Sequence, residues 1–419
     1  MTTAAAPELL AHQAALVLNE ASTGWILTST ALVLLMTLPG LALFYGGMVR
    51  KKNVIATIAH STAALAIVTV LWFLVGYSLS FGTSGPATNP FIGGLQAVFL
   101  DGVRIDTAHS LAPGLPEFLW IAYQLTFAII TPALIAGAFA ERMKFSATLL
   151  FFALWHLIVY VPIAHQVWGG GFLGAMGVLD FAGGAVVHVN AGVAGLVCAL
   201  VLGPRHGFGR DNMAPGNLAY TAIGTGLLFV GWIGFNAGSA WAADGIAAVA
   251  ALNTILAAAT AALGWMFIEW IDRKRPTLLG LLSGIVGGLV AITPAAGLVD
   301  PKGAFFIGLI GGPACYAGAV WLKRWLRYDD TLDAWGIHGI GGIVGALLTG
   351  VFANAAINGV ADGATVLKQA LGLLSVIAWS AIGTFLILMI CKFTVGLRVS
   401  KESEIEGLDY SEHGETIHG

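Results

Sequence analysis

The sequence predicts an all-α membrane protein: eleven transmembrane helices, an inverted 5+5 repeat plus a C-terminal eleventh helix. Three observations carry this. Of 419 residues, 58% are apolar and only 10% charged, where soluble proteins average about 25% charged. Eleven apolar runs are long enough to span the hydrocarbon core of a bilayer. Short motifs also recur in the same order in two halves of the chain.

The apolar runs fall at about 24–48, 54–81, 118–140, 144–164, 181–203, 217–240, 245–271, 277–296, 303–322, 335–355 and 366–392. Gly and Pro interrupt several of them, which neighbouring helices tolerate where the break is buried. Basic residues set the orientation, because loops on the cytoplasmic side keep Lys and Arg. Sixteen of the nineteen fall in one set of alternate loops and the C-terminal tail; only Arg104, Lys302 and Lys368 fall in the other. The N-terminus is therefore expected outside and the C-terminus in the cytoplasm. Residues 1–23 lack the basic and apolar regions of a signal peptide and read as an extracytoplasmic segment.

Three echoes define the repeat. GLALFYGG (40–47) matches GWIGFNAG (231–238) in Gly, Phe and Gly, and ITPA occurs at 130–133 and 292–295. In FAGGAVVHVNAGVAG (181–195) and WGIHGIGGIVG (335–345), His188 and His338 are each followed by glycines four and seven residues on, Gly192 and Gly195 against Gly342 and Gly345. Repeat one then covers 24–203, repeat two 217–355, with an extra helix at 366–392 closing a transmembrane domain of 24–392. Five spans is an odd number, so the second copy enters the membrane from the opposite face. Such inverted repeats are a transporter architecture, with the path at the repeat interface. The symmetry brings His188 and His338 together on that path.

Two neutral imidazoles can share one proton, each fixing the other's tautomer. Such a pair either relays a proton or accepts hydrogen bonds from a small polar solute. The bland alternative is that each ring bonds a helix carbonyl, but ionisable groups inside a membrane are functional candidates by default. No Cys or third His accompanies them at ligand spacing, so no metal is expected. Cys198, Cys315 and Cys391 are scattered and suggest no disulfide framework. Net charge is −3 without a basic patch of the kind nucleic acid needs. No nucleophile–base pair, phosphate loop or cofactor motif appears, so an enzyme is not expected and no cofactor is called for.

The stretches GLALFYGGMVRKKN, AFAER, HQVWGGGFLGAMGVLDFAGGAVVHVNAGVAGL, GFNAGSA, NTILAAATAALGW and GIHGIGGIVGALLTG resemble the ammonium transporter/methylammonium permease/Rhesus family, bacterial-type members above all. The resemblance runs from the first span into the tail motif GLRVSKESEIEGLDYSEHGE. It implies an ammonium transporter of the bacterial inner membrane, a homotrimer in which each protomer has its own hydrophobic pore. By motif position it implies that Trp168, Ser239, Tyr123 and Phe127 recruit ammonium outside, and that Phe127 and Phe235 close the pore below. His188 and His338 with Trp232 line the pore and relay the proton, and Asp180 is the buried carboxylate supporting the outer site. Asp180 can equally cap the start of the fifth span, and Asp333 stands before the tenth in a comparable place, where it either does the same or balances Arg324 and Arg327. Many relatives have Phe where this chain has Tyr123; the hydroxyl adds a polar rim to the ring. As a charge run the tail, 393–419, reads as a solvated end. By its GLD…HG pattern it resembles a regulatory segment that packs across the cytoplasmic face of a neighbouring protomer, where prokaryotic relatives are blocked by a PII-type signalling protein. Ammonium would be deprotonated outside the neck and conducted as ammonia, with the proton following along the imidazoles. A passive channel for ammonia or carbon dioxide, and an ammonium sensor, are the rival readings.

Overall fold

A computed structural model describes residues 13–417. Residues 1–12 of the N-terminal segment and 418–419 of the tail lie outside the described residues. The principal helices are α1 (Glu20–Met48), α2 (Lys51–Phe81), α3 (Glu117–Phe139), α4 (Phe145–Ala175), α5 (Gly184–Leu202), α6 (Leu218–Gly238), α7 (Gly245–Arg273), α8 (Leu278–Ile292), α9 (Pro301–Leu326), α10 (Trp335–Phe352) and α11 (Val366–Thr394). Two short helices, α12 (Lys401–Glu406) and α13 (Leu408–His413), follow in the tail. A small antiparallel pair, Gln13–Ala15 with Thr107–His109, ties the N-terminal segment to the long 82–116 loop.

All of the principal helices except α8 are long and apolar enough to cross a membrane. Helix α8 corrects the run expected at 277–296. It has 15 residues, about 22 Å at 1.5 Å per residue, and the chain then turns through 293–299, fully buried. The same ITPA passes through α3 unbroken, Pro132 included. At 292–295 it ends a helix, because Phe181 donates its amide to the Pro294 carbonyl at 3.1 Å and lays its ring on Gly297.

Most helix starts are written into the sequence as side-chain caps. Asn19, Asn217, Asp244, Thr277, Asp300 and Thr365 each accept an amide of the first turn. Helix α1 lies against α6, and α5 packs among α3, α10 and α11. The α5–α10 crossing is close: a Cβ on Gly192 would sit 2.2 Å from the Gly339 amide. Small residues permit such approach inside membranes.

The ends of α1, α2, α3 and α5 and the loop before α10 share one buried ion network. The Glu141 carboxylate accepts from the Arg50 amide at 2.7 Å, Asn53 Nδ2 at 2.9 Å and Arg205 Nη1 at 2.8 Å. Arg205 also grips both Asp329 oxygens, at 2.8 and 2.9 Å. Arg142 donates to the Asp329 carbonyl and to Thr331 Oγ1, both at 2.6 Å. The charged tail docks on this same face rather than standing free. Asp409 accepts the Val54 and Ala56 amides at 3.0 and 2.9 Å, and Glu412 accepts the Phe145 amide at 2.8 Å.

Burial pushes the Glu141 carboxyl up, but Arg205 and Arg50 outweigh burial and hold it below its ordinary 4.5. A depressed carboxyl contributes stability above that value, and the contribution drains away as pH falls below it. Glu141→Ala is expected to destabilise the fold by about 3–5 kcal/mol at neutral pH, since it takes the carboxylate from Arg50 and leaves Arg205 with Asp329 alone. Thermal unfolding of the purified protein checks this: Glu141→Gln flattens the loss of stability between pH 5 and about 3. A melting temperature unmoved by either change contradicts it.

Candidate functional site

Helices α5 and α10 both open with a widened π-helical turn, Gly184–Val189 and Trp335–Gly339. Such turns often mark functional positions. His188 and His338 sit on them, and their Nδ1 atoms lie 3.2 Å apart with the rings nearly parallel, at 18°. His188 is fully buried and His338 3% exposed, and His188 Nε2 has no protein partner. Only one of the two Nδ1 atoms can carry the proton of that bond.

A line of rings leads away from the pair. Trp232 stacks on His188 at 5.2 Å, its indole N–H anchored on Thr293 Oγ1 at 2.9 Å. Phe235 follows at 5.9 Å from His188, and Phe127 stacks on Phe235 at 4.2 Å. Trp168 meets Phe127 edge-on at 5.9 Å. Trp168 then lines a cavity of about 260 Å³ together with Ser239, Asp180, Trp241 and Asn358. Phe127, Phe235 and Trp232 are each at most 1% exposed, so this line of rings is buried.

Of the four residues expected at the mouth, Trp168 and Ser239 line the cavity, and Phe127 and Tyr123 lie behind it. The Tyr123 ring contacts Phe127 at 5.1 Å, but its hydroxyl lies 3.0 Å from the Gly234 and Phe235 carbonyls and 3.3 Å from Ser239 Oγ. The hydroxyl is therefore spent on the end of α6, and Tyr123 does not line the cavity. Ser239 donates to the Phe235 carbonyl at 2.9 Å, as a helix-terminal serine does, while the residue still lines the cavity.

Asp180 caps α5 with its whole carboxylate. One oxygen accepts the Gly183 and Gly184 amides at 2.9 and 2.6 Å, the other the Ala185 and Val186 amides at 2.9 Å. Its main-chain carbonyl receives the Trp168 indole N–H at 2.8 Å. One residue thus fixes both the helix that carries His188 and the ring at the mouth.

The counterpart on α10 is Asp330, which the sequence reading passed over for Asp333. Asp330 accepts the Ala334 and Trp335 amides at 3.1 and 2.8 Å. Asp333 instead pairs with Lys323 at 2.7 Å, and Arg324 reaches Asp272 at 3.7 Å. Asp180 and Asp330 are separated by the same 150 positions as the two histidines. Gly183 and Asp333, also 150 apart, both take a left-handed backbone, φ 106° and 59°. Trp241, Asn358 and Thr293 were likewise missed: each is one ordinary polar or aromatic residue at a helix end, with nothing in the local pattern to single it out.

A bundle of helices mostly of membrane-crossing length, with a buried histidine pair behind a line of stacked rings, defines a polytopic membrane protein. Comparison with known proteins narrows this. The sequence profile of the Ammonium Transporter Family matches residues 24–418, and the chain belongs to that family. It is 50% identical to an ammonium transporter of Aquifex aeolicus, over 95% of this chain and 93% of the relative. It is 48% identical to one of Bacillus subtilis, over 92% and 95%. Saccharomyces cerevisiae Mep2 superposes with a TM-score of 0.84 at 37% identity, covering 92% of this chain and 91% of that one. A structure described as a sensor Amt protein reaches 0.86 at 29% identity, covering 94% and 98%.

The two caps differ in load, four amides against two, so their removal should differ in effect. Asp180→Ala is expected to lower stability by about 3 kcal/mol and Asp330→Ala by about half as much. Denaturation of the two variants in the same detergent measures the difference. Equal losses, or none, contradict the assignment of Asp180 as the main cap.

Proposed function

We propose that this chain transports ammonium, taking the cation at the outer cavity and passing ammonia along the ring-lined path beyond the histidine pair. The observation that carries the reading is the 3.2 Å contact of His188 and His338 behind the stacked Phe127 and Phe235. Each aromatic face contributes roughly 0.5–2 kcal/mol to holding a cation, and Trp168 with the Ser239 oxygen supplies such a seat where water persists. A bare cation in a dry neck loses tens of kcal/mol of solvation. Giving up a proton across a gap of two to three pKa units needs only about 3–4 kcal/mol. Deprotonation before the neck is the cheaper route by a wide margin. The released proton follows through the shared Nδ1–Nδ1 bond, so transport carries charge.

In this reading Trp168 and Ser239 recruit, with Phe127 and the Tyr123 ring behind them. Phe127 and Phe235 close the neck, and Trp232 holds His188 flat against His338. Asp180 supports the whole from the cap of α5. The chain crosses the membrane eleven times as an inverted 5+5 repeat, N-terminus outside, with α8 and the turn after it as the eighth crossing. The 150-residue offset shared by the caps, the left-handed residues and the histidines supports that repeat. It works as a homotrimer in a bacterial inner membrane. Its docked tail is the landing place for a PII-type inhibitor.

Ammonium-evoked current on a solid-supported membrane is expected to fall about tenfold or more in His188→Ala, as loss of a positioned proton carrier requires. Undiminished current would remove the relay, and ammonium binding without current would favour a sensor. Deleting residues 397–419 is expected to leave current intact while abolishing inhibition by a PII-type protein. Loss of assembly on that deletion would make the tail structural instead.

A further inference from the structure

On the face that carries the tail lies a second cavity, of about 400 Å³, within the roughly 300–1,000 Å³ range of small-molecule sites. Ammonium passage gives it no task. It is formed by the turn GPRHGFGR (203–210) on one side and the start of α12 on the other. Its charge is lopsided: Arg205, Arg210, Arg398 and Lys401 line it against a single acid, Glu404.

These groups are not equivalent. Arg205 is consumed by Glu141 and Asp329. Arg398 is held rigidly by the Leu202 and Pro204 carbonyls, at 2.9 and 2.8 Å, and by Glu404 at 2.7 Å. Glu404, 2% exposed, also accepts the His206 amide. A carboxylate of the chain itself therefore already sits in an anion cradle made of a turn amide and a guanidinium. Arg210 and Lys401 line the same cavity, exposed and in no ion pair among the described residues. Asp211, the acid next to Arg210, lies against Gly207 instead.

We infer that this cavity binds a phosphate group, held between Arg210 on the turn and Lys401 on the tail. A guanidinium and an ammonium group lining one cavity match a dianion with several oxygens, and Arg presents its donors in the fork that phosphate fits. The carboxylate need of the site is already met by Glu404, so the two open cations call for an anion from outside. Bridging them ties α12 to the 203–210 turn and, through Arg398 and Glu404, tightens the tail against the ion network. The phosphate belongs either to a free phosphorylated solute or to the headgroup of an anionic lipid.

The test uses the full-length protein purified in detergent. Isothermal titration with inorganic pyrophosphate probes a free solute; native mass spectrometry with phosphatidylglycerol against phosphatidylcholine probes a headgroup. One saturable site per chain is expected for at least one of the two probes. Lys401→Gln and Arg210→Gln should each weaken it about fivefold, the scale of an exposed ion pair. Both side chains are exposed, so both variants should melt with the parent protein. Bound ligand should also slow tryptic cleavage after Lys401. Binding of pyrophosphate assigns a solute, and binding of phosphatidylglycerol alone assigns a lipid. No saturable site for either probe, or binding indifferent to both substitutions, overturns the inference.

Discussion

Two imidazole nitrogens 3.2 Å apart in a buried interior impose most of what surrounds them. For the rings to meet, α5 and α10 must cross with almost no side chain between them, and Gly192 against the Gly339 backbone is that crossing. Both helices must also begin in register, which the caps Asp180 and Asp330 secure from one side of each π turn. Trp232 holds the His188 ring flat, and Thr293 holds Trp232. Loosening any of these would part the rings and admit water, and the shared Nδ1–Nδ1 hydrogen bond would be replaced by separate bonds from each ring to water.

The repeat supplies two similar ends with unlike chemistry. Beside Asp180, the donor to its main-chain carbonyl is the indole of Trp168. Beside Asp330, the donor to the same atom is the ammonium of Lys323, which also pairs with Asp333. An aromatic face attracts a small cation and a lysine repels one. One cap design thus sits beside an aromatic ring at one end and beside a paired Lys323–Asp333 at the other.

Much of this was legible in the sequence because its causes are local. Apolar length placed the membrane helices, and spacing to glycine paired His188 with His338. What escaped depended on details that pattern does not carry. ITPA reads alike at 130–133 and 292–295, yet it is continuous in α3 and terminal in α8, since only the second meets Phe181. Asp333 looked like the cap because it stands nearest α10, but its left-handed backbone makes it the equivalent of Gly183, and the cap lies three residues earlier. The acidic tail read as a solvated run. Its acids instead accept helix-terminal amides, a partner that charge counting cannot reveal.

The protonation of the two rings tests this picture most directly. Nitrogen-15 solid-state NMR of histidine-labelled protein in bilayers resolves whether each Nδ1 carries hydrogen. One protonated and one bare Nδ1, coupled across a single hydrogen bond and lost together in a variant lacking either ring, is the expected result. Two protonated Nδ1 atoms, or two rings with no coupling between them, would contradict it.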